Sequence, residues 1–169
     1  STTIDWLIIK RKAQAADFTF KAPTNLVWDG KVKTADITLN KPMTLGGSNL
    51  TVVYKMNDEE VAEPTNPGIY KVYVRILGDG TGKGNFMPID SLTADNWTFE
   101  IKHPADHSWG NWQHDDTEHY RTCTVPGCTA EERAAHETDT PATCHEKAVC
   151  TVCKAEYGDF NAHNHTAVS

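Results

Sequence analysis

The stretch IYKVYVRI, residues 69–76, decides the class of fold. Apolar and polar side chains alternate along it for four pairs, and this period of two is typical of a β-strand with one buried face. Similar short runs, each bounded by turn residues, occur at 18–21, 25–28, 35–39, 50–56 and 97–101. We therefore predict a mainly β chain, in which six or seven strands form an antiparallel β-sandwich.

The composition changes abruptly near residue 102. Residues 1–102 carry 12 acidic and 12 basic side chains, whereas residues 103–169 carry 11 acidic and 4 basic ones. All eight histidines and all five cysteines also fall in the second part. This pattern predicts a β-sandwich over residues 13–102 and a separate Cys/His-rich module over residues 103–169. The acidic charge of that module argues against nucleic acid as a partner, because phosphate binding needs clustered Lys and Arg.

The first twelve residues, STTIDWLIIKRK, contain a segment that is similar to a later part of the chain. The segment Asp5–Lys10 resembles Asn96–Lys102, with tryptophans 91 residues apart. We therefore expect residues 1–12 to be the end of a preceding module or a linker in a tandem array. The apolar run is too short, and placed on the wrong side of the basic cluster, for a secretory signal. No apolar run is long enough for membrane insertion.

The cysteines and histidines are spaced as metal ligands in two sets. Residues 118–137, EHYRTCTVPGCTAEERAAHE, contain the first set, and a second follows closely. Thiolate and imidazole suit the tetrahedral shell of zinc, so we predict two structural Zn²⁺ ions. The ligands are His119, Cys123, Cys128 and His136 in one set, and Cys144, Cys150, Cys153 and His163 in the other.

Two points of this assignment stay open. His165 lies two residues after His163 and is an alternative ligand. Disulfides are the alternative staple for a small secreted module, although an odd number of cysteines would leave one thiol unpaired. A metal or disulfides would each stabilise this half, whose few large apolar side chains cannot build a sizeable core.

The N-terminal part resembles a known kind of repeat. The segments DFTFKAPTNLVWDGK, NLTVVYK, AEPTNPGIYKVYVRI and DNWTFEI are similar to immunoglobulin-like repeats related to the MBG-type domains of large surface proteins from gut Firmicutes. The resemblance covers residues 13–102. It implies a secreted protein that carries such modules in strings, as spacers or adhesive units.

The C-terminal part resembles the Cys/His-rich repeats of the same kind of surface protein. The resemblance runs over residues 107–165, and it supports the two ligand sets by position. Lys154 departs from the glycine that often follows the second cysteine of such a knuckle.

Together these patterns predict a non-enzymatic, extracellular piece of a bacterial surface protein that acts as a stalk or adhesive unit. Its expected partners are neighbouring modules of the same parent chain and, in an adhesive role, a host glycan or protein. The alternatives are a carbohydrate-binding module that stacks sugars on Trp109 or Trp112, and a small zinc hydrolase. A hydrolase would need an open coordination position for water.

Overall fold

The computed structural model describes residues 9–78 and 84–165. The chain divides into two compact units, residues 1–103 and 104–169. The change of composition after residue 102 lies next to this division. In the described ranges, no helix has the length and apolar character needed to cross a membrane.

The N-terminal unit is built from antiparallel strands, and the described part contains one 3-10 turn, Ala15–Asp17. The chain is mainly β, as the alternating patterns predict. The strands are β1 (Phe18–Lys21), β2 (Asp36–Leu39), β3 (Asn49–Met56), β4 (Glu59–Val61), β5 (Gly68–Leu77), β6 (Ile89–Leu92) and β7 (Thr98–Ile101).

Strand β5 is the centre of the larger sheet. On one side, its residues 71–77 pair with β3. On the other side, its first half pairs with β7 and its second half with β6. Strand β4 extends the sheet beyond β3, while β1 and β2 pair with each other as a separate two-stranded sheet. One face of this strand is buried, with Tyr70, Val72, Val74 and Ile76, which explains why its alternation is clear in the sequence.

Aromatic packing joins the two sheets through a common core. The Trp97 ring lies edge-on to Phe18 of β1, with ring centroids 6.2 Å apart, and stacks with Phe20 at 6.3 Å. Phe99 stacks on Tyr70 of β5 at 5.3 Å. These contacts bury the inward residues of β1, β5 and β7 together. Whether this arrangement belongs to the immunoglobulin-like class stays a prediction.

A two-residue turn connects β3 to β4. Met56 pairs with Glu59, so Asn57 and Asp58 alone form the turn, with φ of 51° and 66°. Hairpin turns of this kind need positive φ at both positions, which asparagine and aspartate tolerate. The acidic run after β3 is thus a tight hairpin, in which Glu59 and Glu60 already belong to β4.

Two predicted segments differ in detail from the structure. Residues 25–28 form no extended strand; they contribute an isolated parallel bridge between Val27 and Lys102. Arg11, in the segment predicted as a linker, forms backbone hydrogen bonds with Asn85 and Met87 and an ion pair with Asp17. The described end of that segment is therefore attached to the N-terminal unit. The repeat-like residues Asp5–Ile8 and most of the glycine-rich run at 78–84 lie outside the described residues.

The C-terminal unit has much shorter strands. A three-stranded antiparallel sheet has the order β10, β9, β8, and a separate hairpin pairs β11 with β12. The bounds are β8 (Gln113–His114), β9 (Glu118–Thr122), β10 (Glu131–Ala135), β11 (Ala148–Val149) and β12 (Glu156–Tyr157). Four of its candidate metal ligands lie on or directly beside these strands: His119, Cys123, His136 and Cys150.

The alternation along β5 predicts unequal effects of two isoleucine substitutions. Ile76 is fully buried and Ile69 is 66% exposed. Ile76→Ala should lower the free energy of unfolding of the N-terminal unit by about 2–5 kcal/mol, because it leaves a cavity. Ile69→Ala should change it by about 1 kcal/mol or less. Native-state hydrogen exchange of the β5 amides measures both, and equal effects would contradict the assigned inward face.

Candidate metal centres

Four side chains from separate parts of the C-terminal unit converge in what we call the second cluster: His119, His136, Cys150 and Cys153. His119 lies on β9 and is 3% exposed. His136 directly follows β10, and the two cysteines occupy the turn between β11 and β12. One ligand atom from each of the four lies within 4.8 Å of all the others. The cluster thus connects the three-stranded sheet to the hairpin.

The distances in this cluster match a tetrahedral metal shell. Cys150 Sγ lies 3.5 Å from His119 Nδ1, and Cys153 Sγ lies 3.8 Å from His136 Nδ1. Zinc bonds of about 2.3 Å to sulfur and about 2.0 Å to nitrogen place neighbouring S and N ligands about 3.6 Å apart at the tetrahedral angle. The second cluster can therefore hold one metal ion with little rearrangement.

A hydrogen bond from outside the cluster orients His136. Its Nε2–H donates to the backbone carbonyl of Asp115 at 2.8 Å, which leaves Nδ1 for a metal. The Asp115 carboxylate in turn accepts from the backbone N–H groups of Thr117 and Glu118, both at 2.9 Å. These bonds shape the turn between β8 and β9, and they hold the pKa of Asp115 at about 2.

The local electrostatics favour a thiolate at Cys150. Burial raises the pKa of this thiol, but the backbone amide of Cys153 and the His136 side chain lower it, and the net effect is a lowered pKa. For Cys153, burial and the neighbouring Cys150 raise the pKa. The lowered pKa favours the thiolate form of Cys150, which is the form that binds a metal.

The turn that carries the two cysteines has an unusual backbone position. The backbone N–H of Lys154 donates to the Cys150 carbonyl at 3.0 Å, and that of Cys150 donates to the Ala155 carbonyl at 2.8 Å. Lys154 adopts a positive φ of 64°. Residues other than glycine rarely adopt this conformation. The lysine therefore stands where a knuckle would favour glycine.

The first cluster comprises His107, Cys123 and Cys128 of the C-terminal unit, together with His103 at the division of the chain. Their ligand atoms also lie within 4.8 Å of one another. Cys128 Sγ lies 3.5 Å from His107 Nδ1, again close to the tetrahedral spacing.

Backbone pairing assembles this first cluster. Residues 108–110 lie beside residues 122–124: the N–H of Gly110 donates to the Thr122 carbonyl at 2.9 Å, and that of Thr124 donates to the Ser108 carbonyl at 2.7 Å. Between the two cysteines the chain turns at Gly127, where φ is 78°. The pairing brings His107 next to both cysteines.

The structure groups the predicted ligands differently from the sequence spacing. Cys123 and Cys128 meet His103 and His107, which the sequence analysis did not include, whereas His119 and His136 meet the Cys150 and Cys153 pair. The spacing assigns His119 and His136 to cysteines near them in the chain, but in the structure they lie with Cys150 and Cys153 of the separate β11–β12 hairpin. Of the remaining predicted ligands, Cys144 and His163 belong to neither cluster. No disulfide joins the five cysteines, all of which lie within the described ranges.

The chain was compared with protein-family models, curated proteins and solved structures, and none of them matches it.

The role of Asp115 predicts a change in metal affinity. Asp115→Ala should lower the zinc affinity of the second cluster by about 10–100-fold, because the turn that orients His136 loses its carboxylate. Asp116→Ala is the matched control, since this exposed neighbour has no place in that hydrogen-bond network. Competition with a chromophoric chelator measures both variants. Equal affinities would show that His136 is held by other contacts.

The backbone at Lys154 predicts opposite results for two substitutions. Lys154→Gly should preserve or strengthen metal binding, because it relieves a left-handed conformation that costs about 1–2 kcal/mol. Lys154→Val should weaken binding, because β-branched side chains tolerate positive φ poorly. The same competition assay tests both, and an unaffected valine variant would contradict the assigned turn geometry.

Proposed function

We propose that this chain is a non-enzymatic, extracellular piece of a bacterial surface protein, acting as a stalk or adhesive unit. In this proposal, two structural zinc ions stabilise its C-terminal unit. The N-terminal unit is the spacer module. It has no cysteine or histidine before residue 103, and its buried residues are those of a packed β core.

The observation that carries the proposal is the composition of the C-terminal interior. Among residues 104–165, the buried apolar side chains other than cysteine are those of Val125 and Ala148. The remaining buried side chains in this range are His119, Cys123 and Cys150, all members of the two clusters. Such an interior provides little hydrophobic stabilisation. Structural zinc contributes on the order of 10 kcal/mol per site in small peptides.

The donor set supports zinc as the metal. Two thiolates and two imidazoles in a tetrahedral arrangement are typical of structural zinc, whereas calcium and magnesium require oxygen ligands. Four protein ligands also fill the shell, so no position remains for a reactive water. This supports a structural role over that of a small hydrolase.

The carbohydrate-binding alternative has less support. The Arg121 guanidinium lies 4.5 Å from the ring centroid of Trp112 and 5.3 Å from that of Trp109, so it covers one face of each indole. Arg121 also forms an ion pair with Glu132 at 2.7 Å. A surface cavity of about 580 Å³ is lined by residues of 139–164, and none of its described lining residues is aromatic. Sugar stacking would need an exposed aromatic face.

Removal of metal should unfold one unit and spare the other. Native mass spectrometry of the purified chain should find two zinc ions. Chelation under reducing conditions should collapse the amide NMR dispersion of residues 104–165, because their interior depends on the metal. The resonances of β3 and β5 should remain unchanged, which provides the internal control. A chain that keeps its C-terminal dispersion without metal would refute the structural role.

Cobalt substitution distinguishes a structural from a catalytic metal. At two equivalents per chain, which fill the two clusters, Co²⁺ bound by four protein ligands should give a tetrahedral, thiolate-ligated spectrum that added azide does not change. A spectrum that shifts with azide would reveal an open position at a cluster and would favour the hydrolase.

A further inference from the structure

Cys144 and His165 form a separate pair in the C-terminal unit. Cys144 Sγ lies 3.3 Å from His165 Nδ1. Neither residue belongs to the first or the second cluster. The neighbour of Cys144 is therefore His165 and not His163. Cys144 also does not belong to the cluster that contains Cys150 and Cys153.

Backbone and side-chain hydrogen bonds hold the two segments together. The N–H of Cys144 donates to the Asn164 carbonyl at 3.3 Å, and the Asn164 side-chain amide donates to the Ala142 carbonyl at 2.9 Å. The N–H of Asn161 donates to the Thr143 carbonyl at 3.0 Å. Once the two clusters are filled and the unit is folded, the thiol and the imidazole are thus already together, which reduces the entropy lost when a further metal binds between them.

We propose that Cys144 and His165 form a third metal position, open to solvent, for zinc or another borderline divalent cation. The S···N distance of 3.3 Å is close to the value of about 3.6 Å expected for two ligands of one tetrahedral zinc ion. Cys144 is half-buried and His165 is exposed, so water fills the other coordination positions. With two protein ligands in place of four, this position binds more weakly than the clusters and exchanges its metal faster.

The third position goes beyond the proposed function, in which both metal ions are structural and each has four protein ligands. Its occupancy would follow the metal concentration outside the protein, while the clusters stay filled. The same distance also suits a simple hydrogen bond between thiol and imidazole, and the experiment must separate these two cases.

Cobalt titration of the full, reduced, metal-free chain provides the test. Two equivalents should bind tightly and a third more weakly, with further thiolate-to-cobalt absorption from Cys144. Cys144→Ser and His165→Ala should each abolish the third equivalent and leave the first two. His163→Ala is the matched control and should keep all three.

Alkylation of Cys144 gives an independent readout. With the clusters filled, extra zinc should slow the reaction of Cys144 with iodoacetamide in the unmodified chain, and His165→Ala should remove this protection. Saturation at two equivalents, with alkylation equally fast with and without extra zinc, would overturn the third position and leave the two clusters standing. Absence of any tightly bound cobalt would instead refute the proposed function.

Discussion

In the proposed function, the C-terminal unit depends on contacts between cysteine pairs and histidines that are distant in the chain. Cys150 and Cys153 lie in one hairpin turn, while His119 and His136 come from the sheet formed by β8, β9 and β10. The three-stranded sheet and the hairpin have short strands and few buried apolar residues. A metal that binds ligands from both provides a strong directional contact between them, which the side chains of Val125 and Ala148 cannot replace.

Backbone hydrogen bonds position several of the ligands in the folded unit. The β8–β9 turn is fixed by the Asp115 carboxylate, and the carbonyl of the same residue orients His136. The pairing of residues 108–110 with 122–124 does the same for His107. For His136, the bond to the Asp115 carbonyl determines that Nδ1 faces the thiols. In the proposed function, the protein thus limits the coordination geometry and the metal supplies free energy.

The N-terminal unit obtains its stability in a different way. Its central strand β5 buries Tyr70, Val72, Val74 and Ile76 on one face. Trp97 and Phe99 add aromatic contacts to the separate β1–β2 sheet and to β5. Hydrophobic burial of this extent needs no metal. The two halves therefore illustrate two solutions to the same thermodynamic problem, the entropy lost when a chain becomes ordered.

The sequence by itself determined the mainly β class, the positions of most long strands, the change in composition near residue 102 and the residue types that could bind a metal. Each is a local property, because period-two alternation and donor chemistry are carried by neighbouring residues. Short strands such as β6 and β8 were not visible in it, since they show little alternation. The tertiary structure alone decided which histidine meets which cysteine. Nearness along the chain favoured His119 as a partner of Cys123. In the structure, Cys123 and Cys128 instead lie with His103 and His107, and Cys144 lies beside His165.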